Sequence, residues 1–509
     1  MPNLTDDFET KITLEAEGNA LPDEMPFRLL LIGDWSGRSS RSDLAAADYR
    51  PVEIDRDNFE EAMRKLRVEI LLDLQDNGKD VLHLRFEEID DFHPDKIFHQ
   101  VSLFADLRET RKRLMNPQTF NQAAATVRAW AGESEMVKSS PDEKPNENPP
   151  PQAGNLLDRI LFQSTEISDK PQKQSTVSSE LDALVGKLVR PYLVQTDEAE
   201  QSKLVEAVDR ATGELMRAIL HHPPFQALEA AWRGAYLAVS RVETDVDLKI
   251  YLLDVTKDEL KADLKSVGNL TESTFYKLLN EKTAGTFGDE SWAAVCANYV
   301  FKSDVDDTAA LMRIAEACAD SKTPFVAQAD SEILGVKSFA DEPDAANWKV
   351  AEDAPEAKLW AMLRGLPEAS YLGLAVPRVL ARLPYGAKTE PTETFAFEES
   401  TTEHNQYLWA NPSFACALLL AQSFRAFGWE MGRRMAQDID DLPMHIYKAD
   451  GETAIKPGAE IFMTQNAAEK ILEQGLMPLV SFRDSDRVRL VRFQSIAFPA
   501  SALRGKWTA

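Results

Sequence analysis

The chain has 509 residues, 44% of them hydrophobic and 28% charged, the balance of a globular protein with material for large cores and roughly three domains. Its 84 acidic against 57 basic side chains leave a formal charge of -27, which repels phosphate backbones and anionic lipid, so neither nucleic acid nor a membrane surface is expected as a partner. No run reaches the ~18 apolar residues of a membrane span, and the start lacks a basic segment followed by an apolar one, so the expected location is cytoplasmic. Cys296, Cys318 and Cys416 each sit among apolar neighbours and read as buried thiols of a reducing compartment.

In chain order, "FETKITLEAE" alternates Ile12, Leu14 and Ala16 with polar residues, the period of a half-buried strand. "PFRLLLIGDW" is a continuous apolar run ending at Gly33, as a central strand requires, and "VEILLDL" and "DVLHLRF" predict a hairpin around "QDNGK". From Pro94, Ile97, Val101, Phe104, Leu107 and Leu114 recur at helical spacing, with the proline suited to a first turn. Residues 1–135 are therefore expected to form a small α+β domain.

"EKPNENPPPQAG" reads as a solvated linker, and within the wider polar stretch 136–180 it leaves one apolar island. There Leu156, Leu157, Ile160 and Leu161 form one stripe of a short helix over 155–164. Residues 181–222 read as amphipathic helices, with Leu204, Val208, Ala211, Leu215 and Ile219 on one face. Over 223–509, strand-like runs such as "LKIYLLDV", "AAVCANYVF", "PFVAQA", "YLGLAV", "MPLVSF" and "VRLVRFQSIAF" alternate with helix-like ones, which predicts a larger α/β domain.

Three stretches invite a chemical reading. "DDFHPDKIFH" gathers Asp90, Asp91, His93, Asp95 and His99, but the acids precede a helix start, where carboxylates cap free N–H groups. "LLIGDWSGR" resembles a phosphate-binding turn after a strand, yet it lacks the Lys-Ser/Thr of a P-loop and the third glycine of a dinucleotide fingerprint. "HHPPFQALEAAWRG" ends one helix at His221 and His222, turns at Pro223 and Pro224, and opens another that buries Phe225, Leu228 and Trp232 and pairs Glu229 with Arg233. No HExxH, CxxC or GxSxG pattern occurs, so no catalytic, cofactor-binding or metal residue is assigned and the protein reads as structural rather than enzymatic. The competing reading is a metal-dependent enzyme using His93, Asp95 and His221 or His222.

The corner His222, Pro223, Phe225, Leu228, Glu229, Trp232, Arg233, Gly234 resembles the signature of the large contractile-sheath subunit of bacterial type VI secretion (TssC-like). "TPFVAQA", "YLGLAVPRVLARLPYG", "FAFEE", "YLWANPSFA", "FGW", "LPMH" and "GLMPL" follow in the family's order. The first unit resembles the small sheath subunit (TssB-like) through "PFRLLLIGDWSGR", "RPVEIDRDNFEEAM" and "IDDFHPDKIFHQVSLFADLRETRKRL".

The resemblance implies one chain in which a linker joins two subunits that are separate in the family. It also implies assembly with other sheath subunits or copies of itself around an inner tube, on a baseplate. Neighbours in such sheaths exchange terminal strands, for which Ile12, Leu14 and Ala16 are the expected segment. The 155–164 island resembles the helix that an AAA+ unfoldase recognises in contracted sheath.

The family's large subunit continues beyond the "GLMPL" region, whereas this sequence ends at "SALRGKWTA"; "MAQDIDD" stands in place of a Gly-Gly loop, and "ANYVF" in place of "GDYEF". Two expectations follow: a sheath protomer with altered linkage, or a component of sheath ends or assembly control.

Overall fold

A computed structural model describes residues 25–41, 47–74, 81–130, 200–280, 291–351, 353–449, 451–483 and 485–508. The segment with Ile12, Leu14 and Ala16 and the island with Leu156, Leu157, Ile160 and Leu161 lie outside the described residues.

The first half contributes β1 (Phe27–Gly33), β2 (Val52–Ile54), α1 (Phe59–Leu66), β3 (Glu69–Asp73), β4 (Val81–Arg85), α2 (Pro94–Gln100), α3 (Ser102–Met115) and α4 (Phe120–Trp130). The second half opens with α5 (Glu200–Leu220), α6 (Pro223–Ser240), β5 (Leu248–Asp254), α7 (Lys257–Ser266), α8 (Thr274–Asn280), β6 (Ala294–Phe301), α9 (Val305–Ser321) and β7 (Phe325–Ala329). It continues with α10 (Pro355–Arg364), β8 (Leu372–Val376), β9 (Val379–Leu380), β10 (Trp409–Ala410), α11 (Pro412–Phe427), β11 (Asp438–Ile439), β12 (His445–Ala449), β13 (Glu452–Lys456), α12 (Gln465–Glu473), β14 (Leu476–Ser481) and β15 (Val488–Leu490).

One sheet takes strands from both halves. Its order is β11-β15-β14-β8-β7-β6-β1-β5-β2. β1 runs parallel to β5, from Phe27 opposite Leu248 to Gly33 opposite Asp254, and parallel to β6 on its other side, with Leu29 opposite Ala294. Because β1 is buried along its whole length, Leu29 to Ile32 are apolar without a break, and the one charged residue, Arg28, lies over the rings of Tyr251 and Trp292. Phe27, Leu29 and Leu31 enter the core that also holds residues of α6 and α11, while Leu30 and Ile32 enter the core built with α7, α8 and α9. From β1 the chain goes out to β2 at the sheet edge, returns to β5 between them and then crosses to β6 on the other side of β1, so the winding reverses between β1 and β6, as in doubly wound α/β folds.

α11 is hydrophobic all round because it lies between this sheet and α6. The helix expected from Pro94 onward is instead two helices, broken where Val101 turns extended (φ -90, ψ 122). An unbroken helix would set residues six apart on different faces, whereas the break brings the rings of Phe98 and Phe104 to 5.1 Å in one core. The run "VRLVRFQSIAF" is strand only over Val488–Leu490, after which Ile496 returns to donate its N–H to the Leu372 carbonyl at the start of β8.

Candidate functional site: the helix that joins the two halves

The turn into α6 is closed by local bonds. His221 and His222 donate their backbone N–H groups to Arg217 and Ile219, which ends α5. His222 then takes the extended N-cap position, and the prolines that follow occupy a first turn that needs no N–H donor. His222 Nε2 lies 3.4 Å from the Asp73 carbonyl on β3, so the corner already touches the first half.

One side of α6 packs on the first half. Phe225 meets the rings of Phe86 and Phe92 edge-on at 5.9 and 5.8 Å. Trp232, with no exposed surface, packs at 5.6 Å from Trp35 and 5.4 Å from Phe59 and donates its indole N–H to the Trp35 carbonyl at 2.8 Å. Leu228 is buried beside them. Gly234 sits against α11, where a Cβ would come within 2.2 Å of the Phe414 ring, so this helix pair approaches as closely as a glycine permits.

The other side carries a buried charge network. Glu229 is fully buried and receives Arg233 Nε at 2.8 Å and Arg382 Nε at 2.7 Å. Arg382 also grips Glu399 through both terminal nitrogens, at 2.7 and 3.2 Å, and lies 4.1 Å over the Tyr385 ring. Tyr385 donates its backbone N–H to Glu399 at 2.9 Å and accepts Arg233 Nη2 at its hydroxyl at 3.0 Å. His221 Nε2 stands 3.4 Å from Glu399, an ion-pair distance without hydrogen-bond geometry. Burial alone would raise the Glu399 carboxyl, but the Arg382 charge and the His221 contact hold it down at about 2. Burial raises the Tyr385 hydroxyl, and for Arg382 the two carboxylates outweigh burial and push its value up.

Several further contacts sew the halves together. Asp95 accepts the backbone N–H groups of Glu393 and Thr394 at 2.8 and 3.0 Å, Phe98 stacks on Phe395 at 4.6 Å, and Arg111 forms a fork with Asp209. This corrects the expected capping pattern: the His93 imidazole, not an aspartate, caps α2 by accepting the Asp95 N–H at 3.2 Å, while Asp91 closes the preceding turn. His93 also sets its ring edge-on to Tyr385 at 4.9 Å. Asp95, drawn to its partners across the seam, is held below the ordinary carboxyl value: burial opposes this, and the two backbone donors outweigh it. Among the described residues, no three His, Cys, Asp or Glu side chains converge as a metal would need.

The "GDWSGR" turn after β1 has its own anions. Asp254 accepts the N–H groups of Trp35 and Ser36 and the Ser36 hydroxyl at 2.8, 3.0 and 2.7 Å, and Asp34 accepts those of Arg38 and Ser39 at 2.7 and 2.9 Å. Donors that would cradle a phosphate are thus engaged by carboxylates of the chain itself.

The helix expected to open after the prolines carries Phe225, Leu228, Glu229, Trp232, Arg233 and Gly234, whereas His222, expected to end the preceding helix, is the N-cap of this one. Sequence reasoning missed Arg382, Tyr385 and Glu399, although all three sit within quoted landmarks, because nothing in a single sequence pairs residues 153 positions apart.

Comparison with known proteins places these halves. The tail sheath N-terminal domain family VipB (EvpB) matches residues 202–497. The chain belongs to this tail sheath family. Residues 9–129 match the type VI secretion system VipA family, so a VipA-type segment precedes a VipB-type segment in one polypeptide. The type VI secretion system sheath protein TssC1 of Pseudomonas aeruginosa is 32% identical over 317 residues, covering 58% of this chain and 61% of that protein. The sheath protein TssB1 of the same organism is 29% identical over 101 residues, covering 19% of this chain and 59% of that protein. The chain thus spans about three fifths of the length of each of these VipB- and VipA-type relatives. Among the described residues, no helix of this tail sheath chain is long and apolar enough to cross a membrane.

Proposed function

We propose that this chain is a structural component of a type VI secretion contractile sheath, a protomer whose small and large parts are made as one polypeptide. The observation that carries the reading is the place of β1: a strand from the VipA-type segment lies inside the sheet of the VipB-type segment, paired on both sides. A protomer with that shared strand is one rigid building block, and the covalent link guarantees one-to-one pairing by holding the parts at high effective concentration. Its working site is then its surface and termini, not a pocket of chemistry.

The same reading assigns partners. Copies of this chain or separate sheath subunits stack around an inner tube in the cytoplasm, on a baseplate. Strand exchange between neighbours runs through Ile12, Leu14 and Ala16, and an AAA+ unfoldase engages Leu156, Leu157, Ile160 and Leu161. Replacing Leu157 and Leu161 with Asp then abolishes capture by the unfoldase without unfolding the chain; unchanged capture removes that assignment.

Electron microscopy of the purified protein, alone and mixed with separate sheath subunits, tests the main reading. Tubes or cogwheel rings support the protomer, and decoration confined to sheath ends supports a terminal or assembly-controlling component. Particles that stay monomeric in both preparations contradict the reading.

A further inference from the structure

A cavity of about 660 Å³ opens between α10, the C-terminal end of α12 and the loop segments 332–335 and 348–351, away from the seam between the halves. That volume lies in the range of small-molecule sites. Leu334, Trp348 and Trp360 give it flat apolar walls, and both indoles are almost fully buried.

Two cations of its lining, Arg364 and Lys470, have no anion among the described residues. Arg364, 8% exposed, reaches only neutral oxygens: the Ile496 and Glu473 carbonyls at 2.9 Å each and Gln474 Oε1 at 3.5 Å. Lys470 donates to the Ala345 carbonyl, and among the described residues neither cation pairs with a carboxylate. The indole N–H of Trp360 is buried with no acceptor. The contrast with Arg382, which grips two carboxylates, is direct. Burial pushes the Arg364 value down, the sign of a charge that its surroundings leave uncompensated.

Holding two carbonyls near the end of α12 gives Arg364 a structural task, and a cation suits a helix C-terminus. That task explains neither the cavity nor Lys470 nor the unpaired Trp360 N–H. The acids on the rim, Glu332, Glu356 and Glu473, are exposed, so water screens them, while the inner cation acts at low dielectric.

We infer that this cavity binds a carboxylate carried on a small, flat apolar body, the acid group meeting Arg364 and Lys470 and the body lying between Trp348 and Trp360. Such a group is either a free acid or the carboxyl end of a peptide. The inference stands apart from the sheath reading, since it concerns a pocket remote from the seam.

Titration calorimetry on the full chain tests it, with phenylacetate against phenylacetamide. The acid is expected to bind saturably and the amide about ten-fold more weakly or not at all, since a site built for a charge leaves buried donors unpaired when the charge is missing. Lys470→Gln and Arg364→Lys are each expected to weaken the acid about five-fold or more while circular dichroism stays unchanged. Lys470→Gln perturbs only one carbonyl contact, so it keeps the test open if the Arg364 variant fails to fold. Glycyl-phenylalanine tighter than phenylacetate assigns the site to a peptide end, and the reverse order assigns it to a free acid. Equal binding of acid and amide, no saturable binding of any of them, or acid binding unchanged in folded Lys470→Gln overturns the inference.

Discussion

Trp232 donates its indole N–H to the carbonyl of Trp35 at 2.8 Å, tying α6 to the turn after β1 across 197 residues of sequence. The bond sits inside an aromatic cluster with Phe59 and Phe414, so it joins the halves in a water-free place. Trp232→Ala should destabilise the protein by about 3–5 kcal/mol, and Trp232→Phe by about 1–3 kcal/mol, chiefly through the carbonyl left unpaired. Urea unfolding followed by circular dichroism checks both, with the shift expected in the midpoint at constant slope.

Gly234 lies inside α6, where exchanging glycine for alanine ordinarily adds about 1 kcal/mol of helix stability. Here the sign should reverse. The new Cβ would stand 2.2 Å from a Phe414 ring that is itself fully buried, so α6 and α11 must part. Gly234→Ala is expected to cost about 1–3 kcal/mol net, measured as a lowered thermal midpoint.

Arg382 neutralises two buried carboxylates at once. Arg382→Met leaves Glu399 with only the His221 ion-pair contact and Glu229 with Arg233 alone, and should cost about 3–5 kcal/mol. Exchanging Arg382, Glu399, Glu229 and Arg233 together for apolar residues of similar volume should cost far less, which separates the penalty of a broken pair from the worth of the intact one.

Acid should loosen the fold in a defined window. Glu399 and Glu460 are each held at about 2 against an ordinary 4.5. For Glu460, burial opposes the shift, and the His404 hydrogen bond and the Arg378 charge overcome it. Because both values are depressed on folding, their contribution is complete above about pH 4.5 and fades as pH falls toward 2, by roughly 3 kcal/mol each. Unfolding free energy measured from pH 6 to pH 2.5 should fall steeply over that span, and the Arg382→Met variant should lose part of the dependence.

The central strands were legible because a parallel strand covered on both faces is mostly apolar, and "LLLIG" and "FVA" announce themselves that way, while "LKIYLLD" shows the alternation of a strand less covered on one face. The same uniformity hides strand order. Leu29 and Leu30 feed different cores, yet no feature of the run says that β5 and β6 flank it. The helical corner was legible through its prolines and spacing, since capping and periodicity are local. The charge network was not: Glu229 showed its helical partner Arg233, while Arg382 and Glu399 arrive from loops whose path only the tertiary fold sets.

Separating the halves after folding tests whether they are held together by the shared sheet rather than by the linker. A protease site placed between Pro145 and Gly154, cut in the folded protein, leaves two fragments that share β1, β5 and β6. The fragments are expected to co-elute as a one-to-one complex at micromolar concentration, with the thermal midpoint of the uncut chain nearly retained, and to part only on denaturation. Fragments that elute as two separate, folded species would contradict the shared sheet on which the reading rests.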